Sequence, residues 1–280
     1  MQIRTVAFYG AGMLGSGFVK SLRRQGFEVN VWNRSAEKAT ALEAVGARAF
    51  EHAAEAARDA DIVHLCVRDD AAVDAILDAA LPGLRAGVPV VDHTTVLPQG
   101  VVGRAQRLAA AGHPFLHAPV FMGPPQSESA TGTMLASGSQ ALLAELEPHL
   151  AKMTGKVVNL SERTDLAAVY KLMGNLMILA TIGGLDDLFT FAQANGVAKA
   201  DAYKLFGFYS PQGQIDGRGK KMAHGEYDAL WTVDMALKDA NLMRAGAAGA
   251  TLAVVDAVVG RLEATIAKGD GQLDLGAISR

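Results

Sequence analysis

The first 160 residues alternate short apolar, β-rich runs with longer segments of helical periodicity. Four such runs come first, separated by amphipathic helical patterns: "RTVAFYG", "FEVNVWN", "ADIVHLCV" and "VPVVDHT". Strands that alternate with helices are typical of βαβ units, in which the strands lie parallel and helices cover both faces of the sheet. The pattern therefore predicts an α/β domain with a doubly wound parallel sheet.

Three further strand candidates, "PFLHAPV", "TMLASG" and "KVVNL", are expected to continue this sheet to about residue 160. Beyond that point the strand pattern stops, and residues 164–196 predict one long helix that ends at Asn195-Gly196. Further helical patterns occupy 196–206, 226–245 and 247–268, and a Gly/Ser/Pro/Gln-rich loop is expected at 207–219. We therefore expect an α/β domain over residues 1–161 and an all-α domain over residues 162–280.

The composition narrows the class of protein. The 280 residues are half hydrophobic and carry a formal charge of −3, with no basic stripe, so neither nucleic acid nor an anionic membrane surface is an expected partner. The single cysteine and the lack of clustered metal-ligand residues argue for a reducing compartment, here the cytoplasm, and against a metal site. No leader pattern precedes the first strand, and the apolar stretches are shorter than a membrane span, so residue 1 is expected to begin a soluble fold.

A glycine-rich motif follows the first strand directly and opens the first helix. Gly10, Gly12 and Gly15 have G-x-G-x-x-G spacing, with Met13 and Leu14 inside it. The first glycine permits the tight turn, the second allows backbone to approach a pyrophosphate, and the third permits close helix packing. In this strand–turn–helix context the motif predicts a Rossmann-type domain that binds a dinucleotide.

The end of the second strand indicates which dinucleotide is bound. An acidic residue there would bind the 2′-hydroxyl of NAD, but the sequence has Asn33, Arg34 and Ser35 instead. An amide does not repel a 2′-phosphate, and a guanidinium and a hydroxyl match one. The residues favour NADP(H); the alternative is that Arg34 is only a solvated surface charge.

Lys171 and Asn175 lie four residues apart in the otherwise apolar stretch "VYKLMGN". On a helix this spacing places both side chains on one face, where they can reach the same point. Taken alone, such a pair is more often a lysine that extends to solvent and an amide that binds nearby backbone. Its position directly after a dinucleotide-binding domain favours a ligand site.

Five motifs in order resemble the β-hydroxyacid dehydrogenases, relatives of 6-phosphogluconate dehydrogenase that include 3-hydroxyisobutyrate dehydrogenases and glyoxylate or succinic semialdehyde reductases. The resemblance runs nearly end to end. The motifs are "GAGMLG", "DHTTVLP", "HAPVFMGPPQSESATGTMLASG", "KLMGN" and "WTVDMALKD".

The resemblance implies a general acid/base role for Lys171, with Asn175 holding the lysine and the substrate oxygen in register. It also implies that Thr95, and Thr94, bind substrate or nicotinamide ribose. The resemblance also implies that Trp231 and Lys238 lie near the cofactor. Cys66 and Val67 are expected near it because of their position at the end of a strand, and the Cys66 thiol itself is interpreted as packing. For Trp231 the alternative is core packing, and for Lys238 it is a plain surface lysine. A homodimer or homotetramer formed through the helical domain is implied as well.

The sequence departs from this family where a serine and two glycines would bind a substrate carboxylate. Here the residues are Phe121, Met122 and Gly123, so the hydroxyl is missing, although the backbone N–H groups of Met122 and Gly123 are expected to remain available. An apolar wall favours a bulkier or less polar substrate; alternatively, Phe121 turns into the core and the substrate is unchanged. His93, inserted beside Thr94, could titrate near neutral pH or be structural.

These observations predict an NADP(H)-dependent oxidoreductase that transfers hydride between nicotinamide and a carbonyl or hydroxyl substrate. An imine reductase is an alternative supported by the apolar Phe121-Met122 wall, although such enzymes usually lack the lysine. A catalytically silent NADP-binding regulatory protein is a further alternative, suggested by the altered carboxylate loop and disfavoured by the presence of both Lys171 and Asn175.

Overall fold

The structure, a computed structural model, describes residues 2–280, so the predicted start of the fold at residue 1 lies outside the described residues. The strands are β1 (Thr5–Tyr9), β2 (Glu28–Trp32), β3 (Arg48–Ala49), β4 (Ile62–Leu65), β5 (Val90–Asp92), β6 (Phe115–His117), β7 (Val120–Phe121), β8 (Thr133–Ala136) and β9 (Lys156–Asn159). The α-helices are α1 (Met13–Arg24), α2 (Ala36–Thr40), α3 (Ala53–Ala57), α4 (Asp70–Ala80), α5 (Pro98–Ala110), α6 (Pro124–Ser129), α7 (Gln140–Leu150), α8 (Leu166–Ala194), α9 (Lys199–Ala202), α10 (Lys220–His224), α11 (Val233–Gly246) and α12 (Ala253–Ala267).

The central sheet of residues 2–280 has six parallel strands in the order β3-β2-β1-β4-β5-β6. This arrangement confirms the predicted doubly wound α/β fold. The strand order reverses between β1 and β4, and in such sheets ligands bind outside the carboxyl ends of the strands at that point. The short strand β3 pairs through two residues and was not among the predicted strands.

Both faces of the sheet are buried, as the prediction of helices on two sides requires. In β1 the side chains of Val6 and Phe8 belong to one hydrophobic cluster and those of Ala7 and Tyr9 to another. All four are fully buried. Alternate residues of a strand point to opposite faces, so two separate cores lie above and below β1.

The prediction that all later strands continue the central sheet is wrong for three of them. In the described chain β7, β8 and β9 form a second, three-stranded sheet, in which β7 and β8 are antiparallel. The predicted strand "PFLHAPV" divides at Pro119, which has no N–H to donate. Before this residue the Ala118 N–H donates to the carbonyl of Asp92, the last residue of β5; after it the Pro119 carbonyl accepts from the Leu135 N–H of β8.

The chain divides into two compact units, one ending at Asn175 and the other covering Leu176–Arg280. The division falls inside α8, whereas the sequence placed the boundary at residues 161 and 162. The predicted long helix at 164–196 is confirmed as α8. In the second unit, α11 and α12 pack around a small core that includes Val233, Leu262 and Ala277.

Several predictions for the helical unit are wrong in their bounds. The helix expected at 196–206 is a short α9 followed by a 3₁₀ turn, Tyr203–Gly207, and the helix expected at 226–245 starts only at Val233. Thr232 accepts a hydrogen bond from the Met235 N–H and so caps α11 seven residues later than expected. The expected loop at 207–219 contains a π-helical turn, Gln214–Gly219.

Helix α8 carries a long apolar surface that is largely exposed. By length and composition α8 is the one helix in residues 2–280 that could cross a membrane, so the expectation that every apolar stretch is too short is wrong by that criterion. The reason is that Lys171, Asn175 and the glycines interrupt the apolar pattern without ending the helix. The homodimer or homotetramer expected to form through this unit stays a prediction.

Three buried histidines form a chain of hydrogen bonds through the first unit. His64 Nδ1 lies 2.9 Å from His93 Nε2, and His64 Nε2 lies 3.0 Å from His149 Nε2. His93 Nδ1 lies 2.7 Å from the Ala118 carbonyl, which only accepts. His93 must therefore donate to Ala118 from Nδ1, His64 to His93, and His149 to His64, with all three rings neutral.

Burial favours these neutral rings over their charged forms. It lowers the pKa of His93 and of His149 to about 4 and the pKa of His64 well below its ordinary value. His117, fully buried without a hydrogen-bond partner for its ring nitrogens, has its pKa lowered to about 3, again mainly by burial. Burial raises the pKa of Asp92, 3.7 Å from His117, to about 6.

We expect the free energy of unfolding to fall as the pH drops from neutrality toward about 4. Unfolded histidine titrates near 6.5, so below that pH the unfolded chain binds more protons than the folded one, and each net proton costs about 1.4 kcal/mol per pH unit. Asp92, whose pKa is raised in the folded protein, binds a proton there between about pH 6 and 4 and so opposes this trend. The combined effect of the four histidines is larger. Urea unfolding at pH 7 and at about pH 5.5 measures the difference, on the order of 3 kcal/mol. The control His52→Gln, at an exposed position, should leave the slope unchanged; equal stability at both pH values would contradict the assignment.

Candidate functional site

The turn between β1 and α1 is built by contacts that only glycine allows. Gly10 has φ +105°, and a Cβ on it would lie 2.2 Å from the Cys66 carbonyl oxygen at the end of β4. A Cβ on Gly15 would lie 1.9 Å from the Gly10 carbonyl oxygen. Real Cβ contacts are longer than about 3 Å, so a larger residue at either position would force the backbone apart.

Gly12 differs from these two glycines because a Cβ on it would meet no atom within 4 Å. It is the N-cap of α1, where no side chain caps the helix and the first turn has no acidic residue. The free N–H groups of such a terminus attract an anion. The predicted glycine roles therefore fit the structure: Gly10 and Gly15 support the turn, and the backbone at Gly12 is open to a ligand.

A cavity of about 790 Å³ lies against this turn. Ten of the predicted cofactor residues line it: Gly10, Gly12, Met13, Leu14, Gly15, Asn33, Arg34, Ser35, Cys66 and Val67. Ligand pockets in proteins typically measure about 300–1,000 Å³. Its size, its glycine-rich floor and the open helix terminus fit a dinucleotide that lies across the ends of β1, β2 and β4.

Basic side chains border the part of the cavity next to β2. Asn33 is engaged within the protein, because its Oδ1 accepts from the Ala11 N–H and its Nδ2 donates to the Ser35 carbonyl. It thus fixes the loop that presents Arg34. Arg34 is exposed at the cavity, and so is Lys38, one turn into α2, which the sequence analysis missed. The signal that was available is the position of Lys38 in the first turn of the helix that directly follows Arg34.

The sequence analysis also missed the wall of the cavity formed by the start of α4. Its members are Arg68, Asp69, Ala71, Ala72, Ala75 and Ile76, with Trp32 and Pro124 elsewhere on the rim. Small side chains along α4 leave room for a flat ring. This wall could have been predicted only from the topology, because α4 follows β4 at the point where the strand order reverses.

The two predicted threonines after β5 are in different situations. Thr94 is buried, and its Oγ1 accepts a hydrogen bond from the Val67 N–H at 3.1 Å, so it supports the cavity wall from behind. Thr95 is half-buried and has no hydrogen bond to another described side chain. The hydrogen bonds of His93 support the alternative that this histidine is a structural residue. Burial raises the pKa of the Cys66 thiol to about 12, which agrees with its interpretation as packing.

The loop after β7 brings the predicted substrate residues next to the cavity. Met122 lines the cavity, and the preceding ring of Phe121 lies against α8 rather than in the core. The expectation that the Gly123 N–H is available is wrong, because this group donates to Oε1 of Gln126 at 2.6 Å. Gln126 is the third residue of α6, and a side chain at this position can accept a hydrogen bond from the backbone N–H of the N-cap residue, here Gly123.

Lys171 and Asn175 lie on one face of α8, as predicted from their spacing. Lys171 Nζ donates to Asn175 Oδ1 at 3.0 Å and lies 4.4 Å from the centroid of the Phe121 ring. Lys171 is half-buried, and this burial lowers the pKa of its amine. A lysine with a lowered pKa is better suited to give up a proton near neutral pH than a solvated one.

Trp231 and Lys238 belong to the second unit, and their predicted roles near the cofactor stay predictions. Within that unit the Arg218 guanidinium lies 5.9 Å from the Trp231 ring centroid, and the backbone N–H of Trp231 donates to Asp274 Oδ2. Lys238 is exposed and forms an ion pair with Asp239 at 2.8 Å. Among residues 2–280 no group of three or more potential ligands could hold a metal ion.

Comparison with known proteins identifies the family of the chain. Residues 5–161 match the family described as the NAD binding domain of 6-phosphogluconate dehydrogenase. An uncharacterized oxidoreductase of Shewanella frigidimarina (strain NCIMB 400) is 28% identical over 239 residues, covering 84% of this chain and 82% of that protein. The cytokine-like nuclear factor N-PAC of Xenopus tropicalis is 33% identical over 196 residues, covering 69% of this chain but only 36% of that protein.

Solved structures share the fold over almost the whole chain. The imine reductase from Myxococcus stipitatus in complex with NADP+ superimposes with a TM-score of 0.92 at 20% identity, covering 99% of each chain. The predicted fold and the resemblance to relatives of 6-phosphogluconate dehydrogenase are confirmed. The chain therefore belongs to the 6-phosphogluconate dehydrogenase-like family of NAD(P)-binding oxidoreductases.

Proposed function

We propose that this protein is an NADP(H)-dependent reductase or dehydrogenase that interconverts a carbonyl and a hydroxyl group, with Lys171 as general acid/base. The observation that carries the proposal is the half-buried Lys171 amine, held by Asn175 on the helix packed against Phe121. Met122, the residue after Phe121, lines the dinucleotide cavity. The proton-transfer group and the cofactor cavity are thus connected through the consecutive residues Phe121 and Met122.

The cations at the cavity support NADP(H) over NAD(H). Arg34 and Lys38 together offer two positive charges where the 2′-phosphate of NADP(H) would lie, and Asn33 places no carboxylate there. Guanidinium groups bind phosphate through paired, charge-assisted hydrogen bonds. The solved imine reductase noted above was determined with NADP+, which accords with this preference.

In the proposed reaction the residues of this chain orient the substrate and move a proton. The bound nicotinamide would supply or accept the hydride. In reduction, the Lys171 ammonium donates its proton to the substrate oxygen as negative charge develops there, so that an N–H bond breaks and an O–H bond forms. In oxidation the neutral amine takes the proton back. Asn175 Oδ1 keeps its hydrogen bond to Nζ in both states, since ammonium and amine each have an N–H to donate.

The wall beside Lys171 favours a substrate without a carboxylate. Phe121 presents an aromatic ring where the related family has a hydroxyl, and the Gly123 N–H is already used by Gln126. A carboxylate that loses such partners would bind more weakly by about 1.5–3 kcal/mol for each charged hydrogen bond. We therefore propose bulkier or less polar carbonyl compounds as substrates.

A second candidate function is imine reduction, favoured by the same apolar ring and by the names of the similar structures. Those structures are at most 23% identical in the cases cited and share the fold alone. A substrate panel separates the candidates: an aldehyde acid, an apolar ketone and a cyclic imine, each assayed with NADPH and with NADH. Consumption of NADPH with the imine alone would replace the first proposal with the second. If none of the three is reduced while NADPH binds, the catalytically silent alternative is favoured.

Replacing Lys171 tests the proton-transfer role. Lys171→Ala should lower kcat by a factor on the order of 10²–10⁴, the usual contribution of a general acid, because no other proton donor replaces the amine. The Kd of NADPH should stay unchanged. Steady-state kinetics and a fluorescence titration measure the two quantities. Lys156→Ala, at an exposed lysine of β9, is the matched control, and near-normal turnover of the Lys171 variant would reject the role.

Replacing Gly12 tests the placement of the cofactor. Gly12→Ala should lower the thermal midpoint by only a few degrees, because alanine is a poorer N-cap than glycine although its methyl group meets no protein atom, yet it should raise the Kd of NADPH at least about tenfold by occupying the space of the pyrophosphate. Gly103→Ala is the control, since its Cβ also enters open space but lies in α5, outside the cavity lining. Equal affinity of both variants for NADPH would place the pyrophosphate elsewhere.

Replacing Arg34 tests the choice of cofactor. Arg34→Ala should raise the Kd of NADPH about tenfold or more, the effect of losing a charged hydrogen bond, while the Kd of NADH changes little. Isothermal titration with both nucleotides measures the ratio. Arg58→Ala, at another exposed arginine, serves as control. A parallel loss for NADH and NADPH would show that Arg34 does not read the 2′-phosphate.

A further inference from the structure

The Lys171 amine is held by two neutral groups. Its Nζ lies 4.4 Å from the centroid of the Phe121 ring and 3.0 Å from Asn175 Oδ1. A cation within about 6 Å of a ring centroid is attracted to the negative face of the π system. In the described part of the chain Lys171 forms no ion pair. The ring therefore supplies the electrostatic stabilisation that a carboxylate would otherwise provide.

Gly174 provides the space that the Phe121 ring occupies. A Cβ on Gly174 would lie 2.2 Å from Cζ and 2.5 Å from Cε1 of the ring, both far below a normal contact. Gly174 follows Lys171 by three residues and so lies on the same face of α8. The ring sits in a notch of the helix, immediately beside the amine.

The backbone of Phe121 is fixed from the other side. Phe121 pairs with Thr133 in the antiparallel ladder between β7 and β8. The backbone of Gly132, with φ +90°, lies close to the backbone of Phe121 and Met122. A Cβ on Gly132 would lie 2.8 Å from the Met122 Cβ and 3.0 Å from the Phe121 carbonyl oxygen. Strand pairing and close backbone packing thus hold the aromatic side chain against α8.

We propose that Phe121 is a positioning residue for Lys171: its ring face, seated in the Gly174 notch, holds the amine beside Asn175 and stabilises the ammonium form without an acidic partner. The inference rests on the proposed function, in which this ammonium is the proton donor. A carboxylate partner would retain the proton more strongly, because opposite charge favours the charged form. A ring face attracts the ammonium more weakly, so that the amine is kept in place and its proton can still leave.

The test measures the pKa of Lys171 directly, by NMR titration of its ¹³Cε resonance in the protein without substrate, with the resonance assigned by its loss in Lys171→Arg. Phe121→Leu keeps an apolar side chain but removes the π face, and it should lower this pKa by about half a unit to one unit. Phe121→Tyr keeps the ring and should hold the pKa near the wild-type value. Phe50→Leu is the matched control, because it removes a comparable contact, Arg48 at 4.7 Å from the Phe50 ring centroid, and should not change it.

Turnover and a second variant complete the experiment. In Phe121→Leu kcat should fall about tenfold, with the pH at which it is half-maximal shifted downward by the same amount as the pKa. Gly174→Ala should shift the pKa in the same direction by displacing the ring, and it should have little further effect in the Phe121→Leu background. An unchanged Lys171 pKa in both single variants would overturn the proposal. If instead Lys171→Ala retains turnover, the catalytic role fails, while the NMR titration still decides whether Phe121 controls the amine.

Discussion

The close approach of backbone at Gly10 to the end of β4 is the constraint on which the rest of the site depends. Because no side chain separates Gly10 from the Cys66 carbonyl, the β1–α1 turn lies directly on the strand at which the sheet order reverses. The Gly10 N–H donates to the Trp32 carbonyl, and the Cys66 N–H donates to the Tyr9 carbonyl. The carboxyl ends of three strands are thereby held together, and the cavity opens above them.

Polar groups in apolar surroundings serve two different purposes in this molecule. In the histidine chain every hydrogen bond has one possible direction, fixed by the Ala118 carbonyl, so the groups connect β4, β5 and α7 in a single arrangement. Lys171 is half-buried against the Phe121 ring, and Asn175 Oδ1 can accept a hydrogen bond from its amine in either protonation state. The first set of groups is suited to stability, and the second to proton transfer.

The sequence was sufficient for the features that follow from local chemistry and spacing. The glycine turn, the parallel sheet, the long helix and the shared face of Lys171 and Asn175 all follow from periodicity and backbone sterics. The sequence was insufficient where a contact between residues distant in the chain determines the local structure. The change of sheet at Pro119, the capture of the Gly123 N–H by Gln126 and the position of Phe121 in the Gly174 notch depend on neighbours distant in sequence. Lys38 could have been predicted from its position in the first turn of the helix after Arg34, whereas the wall formed by α4 could be predicted only from the strand order.

The crossover at Pro119 places the two halves of the site on different β-sheets. The floor under the nucleotide belongs to the six-stranded sheet, and the aromatic wall belongs to the three-stranded one. A substitution in β7 or its loop therefore leaves the ladder of the six-stranded sheet unbroken, and it reaches the nucleotide floor through the shared hydrophobic core and the packing of α6 on α1. Side chains on the substrate side can therefore be exchanged without breaking the strand pairing that carries the coenzyme side.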